Sequence, residues 1–171
     1  MDYFELFSLN RSYFIDQNLL KKTYLSLQAK YHPDKSRQEK IANHQDQRNN
    51  LEKSILINEA FKVLQDDYLR AEYMLKLNGI AVDEFSLKNT LTTDQLQELL
   101  DQYELIEETT DPLLLKAIEQ EKINEQEALK AAINGSLTKK SFKEALDLTI
   151  RLKYLTNLVG NIKLKIKHAN Y

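Results

Sequence analysis

The chain of 171 residues contains no cysteine, only three glycines and only two prolines. Without cysteine there is no disulfide, no thiolate metal site and no catalytic thiol. So little glycine and proline leaves scant material for tight turns, and the long stretches between them are rich in Leu, Lys, Gln and Glu, which favour helix. An all-α protein is expected. No apolar run approaches the roughly 18 residues of a membrane span, so no membrane partner is expected. The opening residues, Met1-Asp2-Tyr3-Phe4-Glu5, lack the basic-then-apolar order of a signal peptide, which implies a cytoplasmic location. Asn10-Arg11-Ser12 and Asn134-Gly135-Ser136 match the glycosylation sequon, a coincidence without a secretion signal. No Ser/His/Asp ordering, phosphate-cradling glycine loop or acid pair argues for catalysis. The expectation is a protein that is not an enzyme and needs no cofactor.

What is present suits a globular chain of one or two domains: 42% of residues are hydrophobic and 29% charged. The net charge of −2 hides a strong polarity. Nine acids lie between Asp83 and Asp111 against the single base Lys88, whereas from Thr138 onward eight Lys or Arg face only Glu144 and Asp147. Lys21, Lys22 and Lys30 stand between Asn18 and Tyr31 with no acid among them. Such blocks speak to partners more than to fold. The negative net charge argues against a nucleic-acid partner for the Lys-rich tail.

Asp2 is placed to cap a short helix carrying Tyr3, Phe4, Leu6 and Phe7. After a turn at Asn10-Arg11-Ser12, Asp16 is a candidate N-cap for a helix over 17–31. Its apolar residues Leu20, Tyr24, Leu27 and Tyr31 are spaced 4, 3, 4, which is one helical face. Lys22, Ser26 and Lys30 form another line. Pro33 has no N–H and biases His32 away from the α region, so this helix should stop at Tyr31 or His32. The stretch 36–50 is polar. Ile57, Phe61, Leu64 and Tyr68 then repeat 4, 3, 4, backed by Leu51 and Ile55, and this stripe should pack against the first. A short helix over 70–77 should end at Asn78-Gly79 in a left-handed cap.

Residues 80–91 show no period. Thr92 with Gln95 fits a capping box, flanked by Leu91 and Leu96 as a hydrophobic staple. That helix carries Leu96, Leu99, Leu100, Tyr103 and Ile106. Asp111-Pro112 reads as N-cap and N1 of the next, which should run to Asn134 and stop at Gly135. Its middle, 119–127, is poor in apolar residues. In the last helix, about 139–167, Ala145, Leu148, Leu152, Leu155, Val159, Ile162 and Ile166 alternate 3 and 4, a coiled-coil-like seam. Ile150 and Leu158 flank Tyr154 as an apolar strip beside that seam. Three such helices make a small bundle.

Tyr31-His32-Pro33-Asp34-Lys35 is therefore a polar loop between two helices, a place where binding residues tend to sit. Its flanks carry a resemblance. Asp2-Tyr3-Phe4-Glu5-Leu6-Phe7, the run from Leu20-Lys21-Lys22-Thr23-Tyr24 to Lys35, and Ile57-Asn58-Glu59-Ala60-Phe61-Lys62-Val63-Leu64 resemble, in order, the helices and loop of a J-domain. That module activates DnaK-class chaperone ATPases. Arg70-Ala71-Glu72-Tyr73-Met74-Leu75, the acidic Leu99-Leu100-Asp101-Gln102-Tyr103-Glu104-Leu105 and the late Arg151-Leu152-Lys153-Tyr154-Leu155-Thr156-Asn157-Leu158 narrow it. They resemble the HscB/Jac-type co-chaperones of iron–sulfur cluster assembly, and the cysteine-free N-terminus looks like the bacterial type.

The resemblance implies a J-domain over 1–78, a linker over 79–91 and a C-terminal three-helix client-binding bundle over 92–171. It implies two partners, a DnaK/HscA-class chaperone ATPase and the iron–sulfur cluster scaffold protein. His32, Pro33 and Asp34 would form the ATPase-activating loop. Lys21, Lys22 and Lys30 would be the electrostatic contact with the chaperone. Leu99, Leu100, Tyr103, Glu104, Glu107 and Tyr154 would meet the scaffold, although Leu99, Leu100 and Tyr103 also fit a bundle core. Two other readings stand beside it: a helical adaptor with a non-stimulating J-like half, and a metal-dependent hydrolase using His32 and Asp34. A metal site from His32, Asp34 and His44 lacks tight ligand spacing, so no metal is expected.

Overall fold

A computed structural model of the chain describes residues 2–31, 44–83, 86 and 90–169. The described residues form seven helices: α1 (Tyr3–Leu6), α2 (Gln17–Tyr31), α3 (His44–Gln65), α4 (Asp67–Leu77), α5 (Thr93–Glu108), α6 (Pro112–Thr138) and α7 (Phe142–Ala169). They fold as two compact units, Met1–Tyr73 and Met74–Tyr171, so the division falls inside α4.

In the first unit the helix starts obey the capping logic of the sequence. The Asp2 carboxylate accepts the N–H of Glu5 at 2.8 Å, and the Glu5 carboxylate accepts the N–H of Asp2 at 3.0 Å. Arg11 pairs with both carboxylates. The Asp16 carboxylate accepts the N–H groups of Asn18 and Leu19, each at 2.9 Å, and so starts α2. α2 and α3 lie antiparallel. Tyr24 stacks on Phe61 with ring centroids 4.0 Å apart, and near the other end Lys53 sits over the Tyr31 ring. The core they enclose with α1 contains Phe4, Phe7, Tyr13, Leu20, Ile57, Ala60, Leu64 and Ala71. Tyr3 stacks on Tyr73 at 4.3 Å and donates its hydroxyl to Glu59 at 2.8 Å. Burial, and then this bond to Glu59, push the Tyr3 phenol up to about 12.

Two expectations for this unit need correction. Leu51 and Ile55 do not back the α3 stripe; both are exposed. Ile55 lies two residues from the buried Ile57, roughly 200° around a helix of 3.6 residues per turn, so it faces the other way. Nor does the helix run on to Tyr68. It breaks at Asp66, whose carboxylate accepts the N–H of Leu69 at 2.8 Å and starts α4. α4 ends as expected. Gly79 is left-handed (φ 79°), with Gly79 N–H donating to the Lys76 carbonyl and Ile80 N–H to that of Leu75, a Schellman motif.

The second unit is a three-helix bundle. α6 and α7 form a long antiparallel hairpin, and α5 joins it through a core of Ile106, Leu115, Leu155, Leu158 and Ile162, with Tyr103, Ile118, Leu129 and Ile166 packed against it. The polar middle of α6 is helical throughout. Lys122 pairs with Glu125 at 3.1 Å and Lys130 with Glu127 at 2.7 Å, while Gln126 donates to Thr156 of α7 at 3.1 Å. Gly135 does not stop α6. Ile133 and Ser136 are buried on either side of it, and that burial offsets the roughly 1 kcal/mol that glycine costs inside a helix. The helix ends three residues later, in a Schellman motif with Lys140 left-handed at φ 59° and Ser141 N–H donating to the Ser136 carbonyl at 2.8 Å. Ile150 and Leu158, the apolar strip beside the seam, are fully buried.

The start of α5 gives a simple test of local energetics. Thr92 Oγ1 accepts the Gln95 N–H at 3.3 Å, and Gln95 Oε1 accepts the Thr92 N–H at 2.9 Å. Thr92→Ala removes the first bond, and an N-cap loss typically costs about 1 kcal/mol. A drop of that size in the chemical denaturation free energy is expected. An unchanged midpoint would mean that this helix start is held by packing alone.

Candidate functional site

His32, Pro33 and Asp34, the residues expected to form an activating loop, lie outside the described residues, as do Lys35 and the side chain of His44. What leads up to them is described. α2 carries Lys21, Lys22 and Lys30, all exposed, around the sides of the helix away from the buried Leu20. Lys30 turns back over the ring of Tyr31, with Nζ 5.3 Å from the centroid. The long α2–α3 pair thus presents cations close to Tyr31, the last described residue before His32.

In the second unit, α5 and α7 border a groove of about 150 Å³. Leu91, Leu99, Tyr154, Leu155 and Leu158 supply its apolar surface. Gln95, Glu98, Gln102, Glu125 and Arg151 make its polar lining. The α5 residues fall at 95, 98, 99 and 102, which is one face of a helix, with Leu91 just before it, and those of α7 at 151, 154, 155 and 158 do the same. Helical periodicity therefore lets two faces make one groove.

The structure distributes the expected scaffold-binding residues over this neighbourhood. Leu99 and Tyr154 line the groove together. Tyr103, one turn after Leu99, is half-buried and packs against the bundle core. Burial raises the pKa of its phenol above the ordinary value, and the nearby Tyr154 adds to the effect. Leu100 points outward and is 56% exposed, a large apolar side chain without a covering layer in this unit. Glu104 and Glu107 are exposed on the same helix. So of the three residues that fit both a core and a surface, Leu100 is surface, Leu99 lines the groove and Tyr103 is largely core.

The C-terminal end of α5 is tied down from α7. Lys165 Nζ donates to the Ile106 carbonyl at 2.6 Å and also to that of Glu107. These are carbonyls of the last turn, which lack partners within their own helix and carry the negative end of its dipole. The bond fixes α5 in register with α7, and with it the groove. Sequence reasoning missed Lys165, Arg151, Glu98 and Glu125, because isolated charges on helices carry no sign of what they face. Among the described residues no group of three or more His, Asp or Glu is placed to hold a metal, and no helix is long and apolar enough to cross a membrane.

Comparison with known proteins matches this layout part by part. The DnaJ domain family matches residues 2–73, and the HSCB C-terminal oligomerisation domain family matches residues 92–163. A co-chaperone protein HscB homolog from Shewanella woodyi is 34% identical over 164 residues, 92% of each chain. The iron-sulfur cluster co-chaperone protein HscB of the mouse, Mus musculus, is 30% identical over 167 residues, covering 95% of this chain and 68% of that one. The crystal structure of human co-chaperone protein HscB superposes with a TM-score of 0.87 at 28% identity, covering 96% of this chain and 82% of the human one. An N-terminal J-domain followed by an HscB-type three-helix bundle, continuous with relatives over nearly its whole length, places this chain in the HscB/Jac family of J-domain co-chaperones.

Proposed function

We propose that this protein stimulates the ATPase of a DnaK/HscA-class chaperone and delivers the iron–sulfur cluster scaffold protein to it. The carrying observation is that two surfaces of different chemistry lie on two separate compact units. The first unit offers the cationic α2, whose last residue Tyr31 directly precedes His32-Pro33-Asp34 in sequence. The second offers a groove of mixed apolar and polar lining, bordered by an acid-rich helix. Among the described residues neither holds a group of His, Asp or Glu placed for a metal, and both are read as binding surfaces. The family membership and the name of the mouse relative support the iron–sulfur assignment.

In this reading Lys21, Lys22 and Lys30 steer the encounter with an acidic chaperone surface. Each exposed pair is worth only about 0–1 kcal/mol, but several together raise the association rate. His32, Pro33 and Asp34 deliver the activating contact. The scaffold meets Leu99, Leu100 and Tyr154 as its apolar centre, with Glu104 and Glu107 at the rim. Tyr103, packed against the bundle core, contributes the part of its ring that stays exposed.

The reading is tested by titrating the scaffold protein into Tyr103→Ala/Tyr154→Ala in a calorimeter, after a melting curve has established the fold. Interface energy concentrates in a few central residues, aromatics prominent among them, with losses of about 2 kcal/mol or more on truncation. A roughly 30-fold weaker affinity is expected, since about 1.4 kcal/mol is tenfold. Wild-type affinity in a well-folded double variant would move the client site elsewhere on the bundle.

A further inference from the structure

The groove lies between helices, so its shape depends on how α5 rests on α7. The contacts of α5 with the bundle core, Tyr103 and Ile106 with Leu155, Leu158 and Ile162, are apolar. Burial of that kind is non-directional, and by itself it leaves a helix room to slide or roll on its neighbour. The capping box of Thr92 and Gln95 is internal to α5, so it sets where the helix begins and not how it lies. The directional tie is at the other end. Lys165 Nζ donates to the Ile106 carbonyl at 2.6 Å and to the Glu107 carbonyl. Lys165 is half-buried, and the carbonyls it holds belong to the last turn of α5, where the helix dipole leaves negative charge. Ile106 follows Leu99, and Glu107 follows Leu100, by nearly two full turns at about 3.6 residues per turn. Each held residue thus shares a helix face with one of these two leucines.

We propose that Lys165 is a positioning residue for scaffold binding: by holding the Ile106 and Glu107 carbonyls it sets the roll of α5 on α7, and so keeps Leu99 and Tyr154 together in the groove. This rests on the proposed function and deepens it. Three features support a role in placement. Leu99 and Tyr154 come from different helices, so a surface that uses both exists only while the two helices hold their register. Lys165 does not line the groove, and it lies about three turns beyond Tyr154 on α7, so it acts through the helices and not by touching the partner. Lys163 is exposed on the same helix and, among the described residues, makes no bond to α5, so the tie belongs to Lys165 and not to the basic character of α7 in general. A surface ordered before the encounter loses less freedom on binding.

The test titrates purified iron–sulfur scaffold protein into the full chain in a calorimeter, for wild type, Lys165→Met, Lys165→Gln, Lys165→Arg and Lys163→Met, each below the onset of its melting curve. Lys165→Met keeps the stem and loses the donors, and about a tenfold weaker affinity is expected, about 1.4 kcal/mol. Lys165→Arg is still a cationic donor and should recover most of it. Lys163→Met removes the same charge without the tie and should bind as wild type does. The loss in Lys165→Met should persist at high salt. A half-buried bond within the chain is screened little, whereas a charge offered to the partner is screened within a Debye length of about 3 Å at 1 M. In a Leu99→Ala background Lys165→Met should weaken binding clearly less than it does alone, because the side chain it places is gone. Wild-type affinity in a folded Lys165→Met, an equal loss in Lys163→Met, or a loss that vanishes at high salt would overturn the inference alone. So would loss of the fold in Lys165→Met and Lys165→Gln alike, which would make the tie a stability element only. A wild-type chain with no affinity for the scaffold would overturn the proposed function as well.

Discussion

Arg70→Ala should abolish the cooperative fold of the first unit. The guanidinium of Arg70 is only 2% exposed. Its Nε donates to the Tyr13 carbonyl and its Nη1 to the Leu64 carbonyl, each at 2.6 Å, while Nη2 pairs with Asp67. The Tyr13 ring lies 5.0 Å below it. One side chain of α4 thus holds the loop before α2, the last turn of α3 and its own first turn. Truncation leaves two buried carbonyls unsatisfied, about 1–3 kcal/mol each, and opens a cavity. Asp67 is 35% exposed, so water replaces its lost partner and the ion pair adds little to this loss. A core of this size rarely supplies more than about 3–5 kcal/mol in total. Amide hydrogen exchange should therefore show α2 and α3 losing protection. Arg70→Met, which keeps the volume but not the donors, should fall between the variant and wild type. Lys cannot rescue it fully, because a single ammonium on a flexible stem does not reproduce the planar fork. Wild-type protection in Arg70→Ala would mean that these hydrogen bonds are replaceable by water.

His32→Gln is expected to remove ATPase stimulation altogether while the protein stays folded. The described core of the first unit is supplied by Phe4, Phe7, Leu20, Ile57 and Leu64, and exchanging one polar side chain for another leaves those contacts in place. What changes is the chemistry offered to the partner. Imidazole presents two ring nitrogens, either of which donates or accepts according to tautomer, and Pro33 beside it restricts the backbone through which they are presented. Gln keeps a donor and an acceptor but on a longer, flexible stem. The assay is steady-state ATP hydrolysis by the chaperone with a saturating amount of each variant. Full stimulation by a well-folded His32→Gln would sink the assignment of the loop.

Much of the helix layout could be read from the chain because helix boundaries are local. Asp2, Asp16, Thr92 and Asp111 mark helix starts, with side-chain bonds closing within three residues, and Gly79 takes the left-handed position after α4. Such bonds depend only on near neighbours. The same locality explains two misreadings. Gly135 has the chemistry of a stop, but burial of Ile133 and Ser136 carries the helix past it. Tyr68 continues a spacing that Asp66 interrupts by capping a new helix.

The sequence by itself determined the all-α class, the two sets of apolar stripes, the segregation of acids to one helix and bases to another, and the motif blocks that mark the family. Periodicity and capping act over a few residues, and that is why they survive in a linear reading. Only the tertiary structure decided which side chains of a stripe face inward and which charges have partners. It buried Arg70, turned Leu100 outward, set Tyr103 against the core, clamped α5 with Lys165 and brought Lys53 to Tyr31. Each of these depends on a neighbour between 6 and about 60 residues away, whose distance is fixed by helix packing and not by spacing along the chain.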